Sequence, residues 1–513
     1  MADPVRRGGD GVPGPDRRTG RPGTEGTHVV SLRPFIALVV TVTVGCAAAP
    51  PVEPPQLDVT VPDTWTAADT SVGEVAPDWW TDFGEPGLSA AVEIALEGNF
   101  DLAAAAARLE QAAADARIAS SALQPTVQAS YNGSRRKQNF VGFPIPGLEG
   151  RVLSTVSTNQ GVSLDVSWEI DLWGRLRADA QAALADLQRS AADLRGAQLS
   201  MAGQTVKAWF AIAEARQQVA LSDETVGSFL ASAEQVRERF ESGIRPALDL
   251  RLALLNLANA EALRDQRRQQ LDASARQLEV LLGRYAAGTI DQPSSLPDVT
   301  ADVPGGIPAD LVARRPDLVA AERQVAAAGA RLGVARKQLL PNITLTAATG
   351  TATNALRSLL DGNFGVWSLL GNVVAPLWQG GRLRAQIDRA EAQTAEVLAN
   401  YANTALVAYA EVETALAAEA FLADRVGHLT NAVEQARAAE RLAEERYRAG
   451  LDTYITVLDS QRSAVQADGD LIAARRLRLE NRVDLYLALG GGFDQLEAPI
   501  QIQQQISDST NQP

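Results

Sequence analysis

The side chains that most often carry catalysis or bind transition metals are scarce in this chain. Its 513 residues include two histidines, His28 and His428, and one cysteine, Cys46. A transition-metal site, a cysteine–histidine nucleophile pair or a histidine-based triad is therefore not expected. No phosphate-binding loop or nucleophile–base pair stands out, so we expect no enzyme, no cofactor and no metal. His428 is expected at the surface of a long helix.

The sequence around Cys46 has the features of an export signal. An arginine precedes a largely apolar run over residues 35–44, and small residues flank Cys46. This pattern defines a secretory signal. The position of the thiol resembles a bacterial lipoprotein signal and predicts lipidation of Cys46, although an ordinary signal with an incidental cysteine is the alternative. Residues 1–45 are then an N-terminal extension plus the signal, and residues 46–78 a lipidated, proline-rich arm.

The composition narrows the class of partner. The net charge is −15, so nucleic acid is not expected to bind. The sequence contains no run of 18 or more apolar residues, so we expect no membrane-spanning helix. We expect any passage through a membrane to use strands.

The sequence repeats itself over two halves. Leu123-Gln124-Pro125 recurs 216 positions later as Leu339-Leu340-Pro341, whereas Gly174-Arg175-Leu176 recurs 207 positions later as Gly381-Arg382-Leu383. The offset therefore changes once, by nine residues (216 − 207), between Pro125 and Gly174. A repeat of this length indicates two copies of one structural half. We place these halves at residues 79–307 and 308–492, before a polar tail at 493–513.

Each half contains the pattern of one very long helix. An apolar register with alternating steps of four and three residues runs from Leu176 to Phe240 and again from Leu383 to Tyr447. Such steps average about 3.5 residues, which is the coiled-coil period. A helix over residues 173–240 would be about 100 Å long at ~1.5 Å per residue. Gly243 and Gly450 are expected to end the two long helices. Shorter helical patterns flank them at 88–123, 247–286, 309–340 and 453–489.

Alternating segments between the helices predict strands. They lie at about 126–133 and 161–170 in the first half and at 343–350 and 366–377 in the second. A tilted strand of about ten residues can cross an outer membrane, but a closed membrane barrel needs at least about eight strands. An open sheet edge in lipid would leave backbone groups unpaired. We therefore expect several identical chains to complete one barrel; a trimer would supply about 12 strands. Trp173 and Trp378 fit either an interfacial aromatic belt or simple packing.

Taken together, residues 77–492 resemble the TolC-type outer-membrane efflux factors, in particular their lipoprotein branch. The matching residues are Trp79-Trp80-Thr81-Asp82-Phe83, Leu88, Ala95-Leu96, Asn99, Asp101-Leu102, Arg314-Arg315-Pro316-Asp317, Leu340-Pro341 and the two turns that contain Gly243 and Gly450. The resemblance implies a mainly α fold with a membrane β-barrel. In this architecture a homotrimer forms a 12-strand barrel, four strands per chain, that continues into a long α-helical coiled-coil barrel.

The resemblance also implies a function and a location. The chain would be a passive channel embedded in outer-membrane lipid, with a long periplasmic extension. Its partners would be a periplasmic adaptor protein and an inner-membrane transporter of the RND type. A periplasmic structural coiled-coil lipoprotein without a channel is the alternative, but it leaves the paired strands unexplained.

The same resemblance places the functional residues at the helical turns. It implies a periplasmic gate of Asp249, Tyr447, Asp452 and Asp459, in which three copies of Asp459 form an acidic constriction. Asp452 and Thr456 depart from the family pattern, which commonly has a basic and an acidic residue there. As an alternative, Asp249 and Asp459 are ordinary solvated helix residues. The turns that an adaptor would contact comprise Arg239, Phe240, Gly243, Ile244, Arg446, Gly450 and Leu451.

Overall fold

The computed structural model describes residues 61–67, 75–141, 152–290 and 314–492, together with residues 293, 295–298, 303, 304, 306, 308 and 311. Cys46, the export signal, most of the proline-rich arm and the tail at 493–513 lie outside the described residues. Lipidation of Cys46 therefore stays a prediction. Within the described residues, none of the helices is both long enough and apolar enough to span a membrane.

The described chain is mainly helical. Its first half contains a 3-10 turn (Trp79–Phe83), α1 (Pro86–Gly98), α2 (Phe100–Ser121), β1 (Thr126–Phe140), β2 (Leu153–Glu169), α3 (Arg175–Glu241) and α4 (Ala247–Leu281). Its second half contains α5 (Pro316–Lys337), β3 (Asn342–Thr351), β4 (Gly365–Val374), α6 (Arg382–Arg448) and α7 (Tyr454–Ala488).

The two halves are structural copies. Helices α3 and α6 each have 67 residues, α4 and α7 each have 35, and α2 and α5 each have 22. A helix of 67 residues is about 100 Å long at ~1.5 Å per residue. Since the helices match in length, the nine-residue difference lies in the hairpins, whose strands have 15 and 17 residues in the first half and 10 and 10 in the second. The duplicated architecture is thus confirmed.

The strand boundaries differ from the predicted ones, most of all in the first hairpin. β1 continues to Phe140 instead of ending at residue 133, and β2 begins at Leu153 instead of residue 161. The polar composition of these residues suggested a loop. Antiparallel pairing satisfies the backbone whatever the side chains are, and a hairpin that is exposed on both faces needs no apolar alternation. β4 ends at Val374 rather than at residue 377, because Pro376 cannot donate to the ladder.

The four strands form one antiparallel sheet in the order β1-β2-β3-β4. Alternate residues point to opposite faces of a sheet. One face carries mostly apolar side chains: Val127, Tyr131, Leu164, Val166, Leu345, Trp367, Leu369 and Val373. On the other face, the Ser163 hydroxyl donates to Asp165 at 2.8 Å and lies 2.8 Å from the Ser130 hydroxyl. β1 and β4 are the edge strands of the sheet in the single chain.

The predicted helix over 88–123 is interrupted at Asn99. The Asn99 Oδ1 accepts hydrogen bonds from the backbone amides of Asp101 and Leu102 at 2.8 and 3.2 Å, so Asn99 caps the start of α2. Its Nδ2 donates to the Leu281 carbonyl at 2.9 Å, which ties the break to the end of α4. The single-helix expectation was therefore wrong here, because side-chain capping competes with continuation of the helix.

The main core lies where the start of the described chain meets the middle of the long helices. Trp79 is fully buried; its ring stacks on Tyr486 of α7, with centroids 4.9 Å apart. Phe83 meets Phe210 of α3 edge-on at 5.1 Å. The Tyr486 hydroxyl donates to Asp82 at 2.7 Å. The Trp79–Phe83 segment, which is part of the resemblance, thus packs its aromatic side chains between α3 and α7.

Candidate functional site at the helical turns

Both long helices end in the same way. Gly243 and Gly450 have φ values of 71° and 75°, a left-handed conformation that glycine adopts without strain. The Gly243 amide donates to the Phe240 carbonyl at 2.9 Å, and the Ile244 amide to the Arg239 carbonyl at 2.8 Å. The amides of Gly450 and Leu451 repeat these bonds in α6 at 3.0 and 2.9 Å. These are Schellman caps, and they end both helices where the sequence predicted.

A small apolar core lies at the turns and holds the two hairpins of one chain together. We call it the tip cluster; its buried members are Ala233, Val236, Ala253, Ala443, Tyr447, Tyr454, Val457 and Leu458. They come from α3, α4, α6 and α7, so the cluster joins both repeats. The rings of Tyr447 and Tyr454 lie 5.5 Å apart at 50°.

Two arginines of the first repeat surround Tyr447 of the second. The Cζ atoms of Arg239 and Arg245 lie 4.9 and 4.6 Å from the centroid of the Tyr447 ring, within cation–π range. Arg239 also donates to the carbonyls of Tyr447 and Arg448 at 3.1 and 3.2 Å. These carbonyls close the C-terminus of α6, where the helix dipole favours a positive charge. Arg239 therefore fastens the end of α3 to the end of α6.

Asp452 is held within its own turn. Its carboxylate accepts from Arg446 Nε at 3.0 Å, from the Thr453 amide at 3.1 Å and from the Thr456 hydroxyl at 3.1 Å. These bonds, that of Arg446 foremost, hold the pKa of Asp452 below its ordinary value. The two residues that depart from the family pattern, Asp452 and Thr456, thus bind each other.

Asp249 lies half-buried in the first turn of α4, near both tyrosines of the tip cluster. Burial raises the pKa of Tyr454 to about 12, and the charges of Tyr447 and Asp249 add to the shift. Burial likewise raises the pKa of Tyr447, against the effect of the Arg245 charge. No hydrogen bond joins the Tyr447 hydroxyl to Asp249.

Asp459 lies apart from these contacts. Its neighbours Val457 and Leu458 are buried in the tip cluster, whereas Asp459 is exposed on α7. Its backbone carbonyl accepts from the Ser463 hydroxyl at 2.8 Å. Its carboxylate forms no ion pair or hydrogen bond with another described residue. The four predicted gate residues therefore occupy one end of the molecule, but only Tyr447 belongs to the tip cluster.

Arg245 and Tyr454 also belong to this site, although neither was predicted from the sequence. Arg245 donates to the Asp452 carbonyl at 3.5 Å. Adding the 207-residue offset to Arg245 gives Asp452, so these are equivalent positions of the two repeats. The 207-residue offset could have indicated that Arg245 lies near Asp452, because the equivalent turns of a duplicated fold are expected at the same end of the molecule. Within the described residues, no group of three His, Cys, Asp or Glu side chains could hold a metal ion.

Comparison with known proteins identifies the family. The model of the outer membrane efflux protein family matches residues 91–284 and, a second time, residues 307–491. The chain belongs to this family. The two matches follow the two structural halves of the molecule.

Relatives and solved structures agree with this assignment. The chain is 34% identical over 449 residues to the pyoverdine export outer membrane protein OpmQ of Pseudomonas putida, covering 87% of this chain and 95% of that protein. It is 31% identical over 484 residues to the probable efflux pump outer membrane protein TtgC of the same species, covering 93% and 99%. The solved structure of the outer-membrane channel OprN matches with a TM-score of 0.79 and 27% identity, covering 87% and 99%.

The family assignment decides the class of function. The chain is an outer-membrane efflux channel protein, not an enzyme, and its long helices extend on the periplasmic side. The fold class, location and function predicted from sequence are confirmed. The alternative of a structural coiled coil without a channel is set aside.

Proposed function

We propose that three copies of this chain form one passive duct. The strands β1–β4 of each copy would close a shared barrel of about 12 strands, and the long helices would continue it into the periplasm. Two features support this arrangement. The sheet of a single chain has two free edges, β1 and β4, and free edges in lipid carry a large desolvation cost. Its apolar face is also exposed, with Trp367 81% and Leu369 63% accessible.

A direct measurement of oligomeric state tests the shared barrel. Native mass spectrometry of the full-length protein in detergent should find trimers, with the sheet intact by circular dichroism. A monomer that retains its complete β signal in micelles would contradict the proposal.

We propose that the helical turns are both the closed end of the duct and its contact with a periplasmic adaptor. The observation that carries this proposal is the bonding of Arg239 to the carbonyls of Tyr447 and Arg448, which locks the two hairpins of one chain together. Opening would move the α6–α7 pair away from the α3–α4 pair at Gly243 and Gly450. Three copies of the exposed Asp459 would form the constriction.

The outer surface of the turns suits a partner protein. Ile244 and Leu451 are equivalent positions in the two repeats, and each is 69% exposed. The Schellman cap holds each at a fixed place beside Gly243 or Gly450, and Arg446, whose carbonyl accepts from the Leu451 amide, has a half-exposed side chain. Exposed apolar residues ringed by charge are typical of protein contacts. We infer that an adaptor binds here and couples the duct to an inner-membrane transporter of the RND type. The description of the relative TtgC as an efflux pump protein supports this inference.

Single-channel recording in planar bilayers tests the gate. Asp459→Ala removes one charge per copy, so we expect the cation-over-anion permeability ratio to fall by roughly a factor of two or more and closed-state leakage to rise. Asp424→Ala is the matched control, since Asp424 is also exposed but lies on α6 away from the turns. If Asp459→Ala behaves like Asp424→Ala, Asp459 is not part of the constriction.

A further inference from the structure

The hairpin of β1 and β2 projects beyond the rest of the sheet. β2 pairs with β3 at Ser163 and Gly350, and the last contact between them is the bridge from Gln160 to Thr353. β1 and β2 continue past that bridge, from the pair Ser134–Asn159 to the pair Phe140–Leu153. These seven pairs extend about 20 Å at ~3.4 Å per residue. The extension lies at the end of the sheet opposite the helices, which is the exterior side of the membrane.

The two faces of this hairpin differ in chemistry. Val127, Ala129 and Tyr131 of β1 pair with Val166, Leu164 and Val162 of β2 and form an apolar face. The same face continues outward through Gly133 to Arg135 and Lys137, because alternate residues share a face. Arg136 lies on the opposite face, with Ser130 and Ser134. In membrane barrels the apolar face meets lipid and the polar face lines the lumen.

On this face of β1 the basic residues follow the last large apolar side chain, whereas on β2 the exposed Val156 pairs with Lys137. Tyr131, 55% exposed, is the last large apolar side chain of β1 before Arg135, and Trp367 of β4 lies on the same face. Aromatic side chains of this kind mark the interface between the hydrocarbon and the polar headgroups. Arg135 and Lys137 therefore stand on the lipid-facing side, at the level of the headgroups or just beyond them.

The charge of this segment contrasts with that of the chain. Residues 126–141 and 152–162 contain Arg135, Arg136 and Lys137 but no aspartate or glutamate, in a protein with a net charge of −15. All three side chains are exposed. None of them forms an ion pair with another residue that the structure describes. Their charge is thus available to an external anion.

We propose that Arg135 and Lys137 bind the phosphate groups of a phosphorylated glycolipid in the outer leaflet of the outer membrane. Side chains two residues apart on one strand face are about 7 Å apart, so one phosphorylated headgroup can span both cations. Arginine pairs with phosphate through two parallel hydrogen bonds, and lysine acts as a point charge. This assignment rests on the proposed shared barrel, which turns the apolar face to lipid.

Native mass spectrometry of the full-length protein, titrated in detergent with diphosphoryl lipid A, tests the proposal. Arg135→Gln and Arg136→Gln are matched variants, since they remove the same charge from adjacent residues on opposite faces. We expect Arg135→Gln to weaken lipid binding about fivefold, because one lysine or arginine near an anionic lipid surface has an effect of this order. The double variant Arg135→Gln/Lys137→Gln should lose tenfold or more, and Arg136→Gln should stay within about twofold of the wild type.

The proposal would be overturned if Arg135→Gln and Arg136→Gln weakened lipid binding equally, or if the double variant bound the lipid as the wild type does. It would also be overturned if inorganic phosphate, added at a concentration equal to that of the lipid, displaced the lipid. This last result would assign the site to a free anion instead of a lipid. All variants should remain trimeric and conduct ions. A wild type that fails to form trimers would refute the shared barrel, whereas trimeric variants with wild-type lipid binding would refute this inference alone.

Discussion

Arg315 and Glu411 form an ion pair, with Nη1 2.6 Å from Oε2, at the point where the second repeat begins. Arg315 also donates to both carboxylate oxygens of Asp317, at 3.0 and 2.7 Å, and to the Ala488 carbonyl at 3.2 Å. Its side chain is only 10% exposed. One guanidinium therefore joins the start of α5, the middle of α6 and the end of α7. This explains why the Arg315-Pro316-Asp317 segment carries the resemblance to the family although it lies far from the turns.

We expect Arg315→Ala to lower the free energy of unfolding by about 2–3 kcal/mol, since it removes a largely buried cation that is bonded to two carboxylates and a carbonyl. Arg315→Lys should lower the free energy of unfolding by less, because lysine keeps the positive charge although it lacks the planar guanidinium that forms paired hydrogen bonds. Arg331→Ala is the control, since its pair with Asp186 is half-exposed and such pairs contribute about 0–1 kcal/mol. Chemical denaturation followed by helical circular dichroism measures all three. Equal losses for Arg315→Ala and Arg331→Ala would contradict the assigned role.

Much of the fold could be predicted because it repeats. The register from Leu176 to Phe240 placed α3 within two residues of its observed bounds, Arg175–Glu241, since a long apolar stripe leaves few other ways to bury it. The hairpin extension could not be predicted from composition. Residues 134–139 are polar on both faces, and only pairing with β2 makes them a strand.

At the functional site, too, some features could be predicted from the sequence and others could not. Gly243 and Gly450 were recognisable because a long helix must end where glycine takes a positive φ. The repeat offset places the two turns at the same end, but it does not predict that Arg245 stacks on Tyr447, since these residues are about 200 positions apart and meet only after the hairpins pack. Local sequence patterns carry no information about a contact of that kind.

Glycine substitutions at two sites of α6 and its turn should have opposite effects. Gly450 has a φ of 75°, so Gly450→Ala should destabilise the protein by about 1–2 kcal/mol through backbone strain alone. Gly427 is helical, and a Cβ there would meet open space. Gly427→Ala should therefore stabilise by about 0.5–1 kcal/mol, because alanine loses less chain entropy. Thermal unfolding of both variants gives the comparison. Shifts of the same sign would show that the Gly450 conformation is not required.

The tip cluster should weaken at alkaline pH. Burial raises the pKa of Tyr454 from 10.0 to about 12, so the folded state favours the protonated phenol. The raised pKa contributes about 3 kcal/mol of stability. This contribution is fully present below pH ~10 and is lost as the pH rises through about 12. Hydrogen exchange of the amides around Tyr454 should accelerate in this range in the wild type. Tyr454→Phe, which cannot ionise, should show a smaller acceleration; an unchanged one would place the pH response elsewhere.

Titration of Asp452 should not open the closed end of the duct between pH 5 and pH 8. Its bonds to Arg446, Thr453 and Thr456 lower its pKa, so the carboxylate stays ionised throughout that range. The ionised carboxylate stabilises the folded state fully at pH values above its unfolded pKa of about 3.9. This stabilisation is lost only as the pH falls through the pKa of Asp452 in the folded state, which is lower. Conductance of the closed duct should therefore be equal at pH 5 and pH 8 in the wild type and in Asp452→Asn. A leak that appears between these values in the wild type and disappears in Asp452→Asn would contradict this expectation.

The segment at 61–67 is fastened to the body through Glu413 of α6. Its carboxylate accepts from the Thr66 amide and hydroxyl, both at 2.9 Å, and from the Ala67 amide at 2.8 Å. Beside these bonds, Trp65 is buried against Tyr409, with ring centroids 6.4 Å apart. Partial burial raises the pKa of Glu413, but the hydrogen bonds from Thr66 and Ala67 outweigh it, so the pKa lies below its ordinary value.

Glu413→Ala should release this segment and leave the helices intact. We expect exchange of the Thr66 and Ala67 amides to accelerate about tenfold, since each loses a charge-assisted bond of roughly 1.5 kcal/mol. Glu396→Ala, which removes an exposed carboxylate from the same helix, should leave that exchange unchanged. The wild type should show the same release as the pH falls through the lowered pKa of Glu413, because its carboxylate then takes up a proton and the charge-assisted bonds are lost. Equal protection in Glu413→Ala and the wild type would mean that Trp65 alone holds the segment in place.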